Sequence, residues 1–363
     1  MTTEILSTST PTELAAAVER AVAVLHRGDP VALPTETVYG LAADALRADA
    51  VAQIFEAKER PFFDPLIVHL PELDWLERFV DLPAQSRPLV EALIARFWSG
   101  PLTLVLPRRP IVPDLVTAGL PTVAVRMSAH PVFRAVCRAF GSPLAAPSAN
   151  RFGRISPTAA EHVRSELEGR IPLILDGGST QHGVESTIVA VEGEAIRLLR
   201  AGPVTPEELA GVWQALRLAR HDPPREEEVM AFFQRLGVSY SAMLQGGFEV
   251  RIEAPGQLES HYAPRTPLRL LPRGAHFRWS REGAKPRTGS LAFAEPSTAG
   301  EFDCEEILSP TGDLREAAAT LFAKLRRLDE AGLALILAEP VPEHGLGIAI
   351  MDRLRKAAAK HVE

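Results

Sequence analysis

Apolar residues recur at Leu14, Ala17, Val18, Ala21, Val22 and Leu25, the spacing of one helical face. Thr10, Pro11 and Glu13 stand ahead of them in the order of a capping box with proline at the first helical position, and Gly28 supplies the stop. The continuous run Val31, Ala32, Leu33 predicts a short buried strand. A second helix opens at Asp49, with Val51, Ile54 and Phe55 on one face. It must end near Arg60, because Pro61 disfavours helical geometry in the residue before it. Short apolar runs predict strands at 66–70, 102–106, 122–127, 143–146, 173–175 and 187–192, with 196–200 returning as a hairpin across Gly193. Helices are predicted between them at 71–79, 84–97 and 130–140, and Ser156-Pro157-Thr158 starts another. Strands alternating with helices predict an α/β layer with a mixed sheet. The runs are too short to fix strand order.

The pattern changes after Val204. Helices at 205–217 and 225–236 flank a polar connector around Pro223 and Pro224, and a polar, glycine-containing stretch follows. It leads to Ala254-Pro255-Gly256-Gln257-Leu258-Glu259-Ser260-His261-Tyr262-Ala263-Pro264. Linkers usually avoid aromatic residues, so His261 and Tyr262 between prolines imply a segment that docks on something. Beyond Pro267 a second α/β unit is expected, with strands near 268–271, 289–293 and 334–337, a long helix at 312–331 and a final one at 347–360. The chain thus divides into 1–205, a connector at 206–265, and 266–363.

A length of 363 residues suits two domains, each with its own core. The net charge of −7 argues against a broad, non-specific nucleic-acid coat, while leaving room for a local basic cleft. Cys137 and Cys304 give neither a disulfide framework nor metal spacing, as in a reducing compartment. Neither a signal peptide nor a run of roughly 18 to 20 apolar residues is present, so a cytoplasmic protein is expected.

Arginine supplies most of the positive charge; of five lysines, Lys58 alone precedes residue 285. Compositional bias explains this as readily as a need for a compact ammonium ion. Polar groups cluster where apolar runs end: Thr35, Thr37, Lys58, Arg60, His69, Thr122, Arg126, Ser148, Asn150, Ser156, Ser186, Thr187 and Arg200. Four cations among many hydroxyls suit an anionic ligand such as a nucleotide, and phosphoryl or adenylyl transfer depends on placed positive charge. Plainer readings stand beside this one. Ser148 and Ser156 also suit helix caps, His69 a satisfied core histidine, and Thr37 and Tyr39 turn and packing roles. Arg126 ends a core strand and needs a partner, either a bound anion or Glu36. No phosphate-binding loop of the GxxxxGK[ST] kind, dinucleotide fingerprint, metal-ligand cluster or GxSxG elbow is found.

The segments Pro34-Thr35-Glu36-Thr37-Val38-Tyr39-Gly40-Leu41, Lys58-Glu59-Arg60-Pro61, Pro65-Leu66, Ser148-Ala149-Asn150 and Gly183-Val184-Glu185-Ser186-Thr187 together resemble the YrdC-domain family, the threonylcarbamoyl-AMP synthases. Pro255-Gly256 and His261-Tyr262-Ala263-Pro264 resemble the linker of its long, two-domain form. The resemblance implies a YrdC-like catalytic domain with a cationic cleft, a linker that closes over it as a lid, and a smaller Rossmann-like C-terminal domain. It implies a nucleotidyltransferase making threonylcarbamoyl-AMP and pyrophosphate from L-threonine, bicarbonate and ATP with Mg²⁺. Downstream threonylcarbamoyltransferase enzymes would then modify tRNA. By the same resemblance Thr37, His69, Arg126 and Ser186 would hold threonine. Lys58, Arg60, Asp64, Thr122, Ala146, Ser148, Asn150, Ser156, Arg200 and Tyr262 would surround ATP, with Lys58 and Arg60 the catalytic cations.

Three positions depart from the family pattern. Asp64 stands where asparagine is common, adding negative charge near phosphates; Ala201 replaces a proline; Met351 replaces a polar residue. Two other readings compete. A non-catalytic RNA-binding or ribosome-maturation module is disfavoured by net acidity and by the absence of aromatic-basic interleaving. A carbamoyltransferase of the hydrogenase-maturation type would need cysteine-rich zinc motifs that the chain lacks.

Overall fold

The computed structural model describes residues 2–220, 222, 224–241, 252–258, 261–272, 286–295 and 302–359, without the side chains of 233, 235 and 237–241. Most of the polar stretch before Ala254, together with Glu259 and Ser260, lies outside the described residues.

Ten strands form one mixed sheet in the order Glu4–Ser7, Leu173–Asp176, Val31–Leu33, Gly40–Asp44, Leu144–Ala145, Ile67–His69, Thr122–Arg126, Leu102–Pro107, Thr187–Glu192, Ala195–Arg200. The predicted α/β fold is therefore present. Period two divides each strand between two faces. Val31, Leu33, Ala42, Leu144, Leu173 and Leu175 face the helices Pro11–His26 and Pro131–Phe140. Ala32, Leu41, Ala43, Val68, Ala145 and Ile174 face the opposite core, built with Ala48–Lys58, Arg87–Phe97, Ala160–Leu167 and Pro206–Ala219. The capping boxes at Thr10 and Thr205 both form.

A smaller, all-parallel sheet runs Leu268–Leu270, Leu335–Ala338, Thr288–Ala292, Cys304–Ile307. Helices Leu314–Glu330 and Leu346–Ala359 pack with it in a Rossmann-like arrangement. Its core does not stop at the domain edge. Val38, Ile155, Val184 and Tyr262 pack into the same cluster as Leu321, Phe322, Ile350 and Met351. Three loops of the large domain and the segment over its cleft thus share a core with the C-terminal domain. Met351 is spent on this packing, which accounts for its apolar character.

Three strands were not predicted: Glu4–Ser7, Gly40–Asp44 and Cys304–Ile307. The helix expected at Ser156 begins at Ala160, with Ala159 as its N-cap. Ser156 is therefore not a cap.

Candidate active site

Two helices cover only half of one face of the large sheet, and a cleft occupies the rest. Ile67, Val105, Ala124, Ile188 and Ala190 form an apolar patch on that face with Ala254 from the connector packed against them, and Ile67 reaches the cavity. Alternation then places His69 beside Ile67, Arg126 and Thr122 beside Ala124, and Ser186 beside Ile188 on the same face. Parallel register sets His69 opposite Arg126. Of the expected residues, Thr35, Thr37, Arg60, His69, Arg126, Ala146, Ser148, Ser186, Arg200, His261 and Tyr262 line the cavity.

At one end Thr35 organises the turn: its hydroxyl bonds the Val38 carbonyl at 2.6 Å and the Thr37 hydroxyl at 2.8 Å. Arg126 donates to Thr37 Oγ1 (3.1 Å), to the Gly100 carbonyl (3.2 Å) and to Glu36 Oε1 (2.6 Å). Ser128 donates to the other Glu36 oxygen. Glu36 is thus the internal partner of Arg126. Burial acts to raise the Glu36 carboxyl, but the Arg126 charge and these hydrogen bonds outweigh it and hold the group at about 2. His69 is pushed down to about 3 by burial first and the Arg126 charge second, so its imidazole stays neutral. Its Nδ1 has no hydrogen-bond partner among the described residues.

Lys58, Arg60 and Asp64 form the other end. Lys58 ends its helix fully buried, and its ammonium donates to the Ser148 and Asn150 carbonyls. It is not part of the cavity wall; it fixes the loop that is. Burial, then the neighbouring Arg60 charge, takes its pKa well below the ordinary lysine value. Arg60 donates to the Asp64 and Pro65 carbonyls, and its Nη2 lies 2.8 Å from Asp64 Oδ2. That approach lacks hydrogen-bond alignment, and both Asp64 oxygens remain without a directed donor. Burial raises the Asp64 carboxyl against the pull of Arg60, Lys58 and Arg200.

The remaining expected residues sit apart from the cavity wall. Asn150 donates to the Arg151 and Arg154 carbonyls and keeps an unpartnered Oδ1. Ser156 donates to Glu185 Oε1. Thr187 ties its strand to Val204. Thr122 lies on the cleft face at the start of its strand, about 13 Å from Arg126 at the strand rise. Only a ligand extended along the strand would reach it.

Residues Pro255, Gly256, His261 and Tyr262 roof the cleft. Arg200 donates to the Pro255 carbonyl at 3.2 Å while its other nitrogens hold Ser186. The Ala263 amide bonds the Gly153 carbonyl and the His261 amide that of Lys356. The volume left is ≈ 40 Å³, room for about three waters. A ligand of nucleotide size needs more room than this arrangement leaves.

Residues 23–202 match the family model described as Telomere recombination, and residues 205–359 that described as Threonylcarbamoyl-AMP synthase, C-terminal domain. A threonylcarbamoyl-AMP synthase of Bacillus subtilis is 38% identical over 365 residues, 99% of this chain and 96% of the relative. The chain belongs to the threonylcarbamoyl-AMP synthase family. A Schizosaccharomyces pombe synthase is 37% identical over 388 residues, covering 96% of this chain and 90% of its own length. The crystal structure of P. abyssi Sua5 complexed with L-threonine superposes with a TM-score of 0.80 at 35% identity, over 99% of this chain and 98% of that one.

Among the buried atoms without a hydrogen-bond partner, His69 Nδ1, His261 Nδ1 and the Tyr262 hydroxyl belong to residues that line the cavity, while Asp64 Oδ1 and Oδ2 and Asn150 Oδ1 lie behind its wall. Buried polar groups are rarely left unpaired, and their gathering at one cleft points to a polar ligand. The described residues hold no group of three His, Cys, Asp or Glu suited to a metal ion. Asp64 fits at most one ligand position for an Mg²⁺ ion carried by phosphates. Glu185, which lines the cavity, and Gly256, whose φ of +81° brings its backbone under the Tyr262 hydroxyl, were missed as site residues. Glu185 had a signal, its place inside the Gly183–Thr187 motif.

Proposed function

We infer that this chain condenses L-threonine, bicarbonate and ATP into threonylcarbamoyl-AMP and pyrophosphate. The observation that carries the reading is the cleft itself: buried cations, unpartnered polar atoms and a roof, in a chain whose full-length relatives are named for this synthesis. The structural neighbour solved with L-threonine supports threonine as the amino-acid substrate.

In this reading the threonine carboxylate meets the outward N–H groups of Arg126. Three of its five N–H groups are engaged, and the two that remain sit one on each terminal nitrogen. Thr37, neutral His69 and Ser186 surround the rest of the amino acid. Its amine adds to CO₂ derived from bicarbonate and loses a proton, forming a carbamate N–C bond. A carbamate oxygen then attacks the α-phosphorus of ATP, and the bond to pyrophosphate breaks. Arg60 and Arg200 offset phosphate charge. Lys58 holds the 148–150 loop against the nucleotide, and Ala146, Asn150, Ser156, Thr122 and Tyr262 border it. Mg²⁺, arriving with the triphosphate, would neutralise part of that charge beside Asp64. A closed roof excludes water from a carbamate that loses CO₂ readily. Proximity supplies much of the rate.

Passage of the threonylcarbamoyl group to tRNA by downstream enzymes, in the cytoplasm, completes the proposal. No described helix is long and apolar enough to cross a membrane. The test is mass spectrometry of the product from threonine, bicarbonate and ATP. A threonylcarbamoyl-adenylate that needs all three is the expected result; salt-sensitive RNA binding with no ATP turnover would replace this reading with the non-catalytic one.

A further inference from the structure

We propose that Arg353, on the C-terminal helix Leu346–Ala359, is a positioning residue for this reaction, acting through Glu185 on the nucleotide side of the cleft. Arg353 is 1% exposed although it belongs to the other domain. Its Nε donates to Glu185 Oε2 at 3.0 Å, and its Nη1 to the Ala201 carbonyl at 2.9 Å and to Asp352 at 2.7 Å. Its guanidinium carbon lies 5.2 Å from the centre of the Tyr262 ring. One side chain therefore touches the Gly183–Thr187 loop, the residue after Arg200, and the roof.

Glu185 links that contact to the cleft. It lines the cavity, and its oxygens are divided, Oε1 taking the Ser156 hydroxyl and Oε2 taking Arg353. Without Arg353 a buried carboxylate would face the phosphate region with its cation gone, an arrangement that is strongly unfavourable. Arg200 also feels the Glu185 charge. Arg200 would be drawn from Ser186 and from the Pro255 carbonyl, the two groups that join sheet to roof. The same helix also holds the roof directly, Lys356 Nζ donating to the Gly256 carbonyl at 2.6 Å. Arg353 and Lys356, two side chains of one helix, thus carry the C-terminal domain's position into the site.

The inference rests on the cleft being the substrate site, and the experiment separates the two. In the full chain, Arg353→Met, Arg353→Lys, Glu185→Gln, the Arg353→Met/Glu185→Gln double variant and Arg126→Gln are assayed for threonine-dependent pyrophosphate release, with folding followed by thermal melting. Arg353→Met is expected to stay folded and lose roughly 10- to 100-fold in kcat/KM, with a higher KM for ATP and a lower kcat. The double variant should be no worse than the poorer single one, and Arg353→Lys should recover part of the loss. Unchanged constants in folded Arg353→Met, or multiplicative losses in the double variant, overturn the inference. If Arg353→Met does not fold, Arg353→Lys decides, because lysine cannot hold Glu185 and the Ala201 carbonyl together; constants equal to wild type would then overturn it. Full activity in Arg126→Gln would instead defeat the assignment of the cleft.

Discussion

Lys58 stands in the structure in a different setting from the one its sequence suggests. Its rarity and its place before Arg60 suggested a phosphate-facing ammonium, yet in the closed cleft it is a clamp on two backbone carbonyls. Those partners lie 90 and 92 residues away, so no local pattern could announce them. Replacing Lys58 with methionine keeps most of the volume and removes the clamp. Loss of a buried charge is often tolerated in stability, while two freed carbonyls cost about 1–3 kcal/mol each if water cannot reach them. Pyrophosphate release should fall by at least about 100-fold as the 148–150 loop loses its position, with a melting temperature only a few degrees lower. Wild-type turnover in the purified variant would remove Lys58 from the machinery. Residues of the Thr35–Thr37, Lys58–Arg60 and Ser148–Asn150 segments were legible because they end apolar runs. Arg353 was not legible as a site residue, since it is one arginine among many. Only its spacing from Ile350 and Ala357, on the buried face of its helix, carried a signal.

Elements whose pattern matched their burial were read closely, among them Pro11–His26, Val31–Leu33 and the Thr187–Arg200 hairpin. The strands that escaped notice have physical excuses. Glu4–Ser7 and Cys304–Ile307 are sheet edges that mix polar and apolar residues and bury none of them fully, and Gly40–Asp44 has no β-branched side chain. What no element pattern reveals is the docking of one domain's loop onto the other's helix. Gly183 has φ +68°, and a Cβ there would lie 2.4 Å from the Ala318 carbonyl oxygen and 2.5 Å from Ala319 Cα. Both are backbone atoms of the helix Leu314–Glu330, which cannot yield as a side chain would. Gly183→Ala should therefore cost about 1–3 kcal/mol from the left-handed backbone alone, plus the cost of lifting the loop. The variant is expected to melt several degrees lower and to bind threonine more weakly, because Ser186 rides on that loop. Calorimetric melting with a threonine titration checks this; an unchanged melting temperature would mean the domains are not seated on that glycine.

The molecule as a whole buries imidazoles among guanidinium and ammonium groups, and this gives it a definite acid response. His69 faces Arg126 and Glu36, and His261 faces Arg60, Lys356, Lys58 and Arg200. Burial first, and these cations second, take His69 down to about 3 and His261 well below its usual 6.5. A folded pKa below the unfolded one means that the unfolded chain binds more protons throughout the interval between them. The stability these groups contribute is complete well above pH 6.5 and is lost as pH falls below it. At pH 5 the buried neutral His69 imidazole contributes about 2 kcal/mol less than at pH 7.5, and the His261 contribution falls in the same direction. Glu36 acts in a lower window: held at about 2, it keeps its contribution until pH nears 4.5 and loses it below. Weakening between pH 7 and 5 therefore does not come from the Arg126 pair, and the lowered histidines act in that window. Urea unfolding at pH 7.5, 6 and 5 should show a steady decline, and His69→Gln should make it shallower by about one histidine's share. A flat profile over that range would contradict the burial of both imidazoles in the neutral form, and with it the closed roof that buries His261.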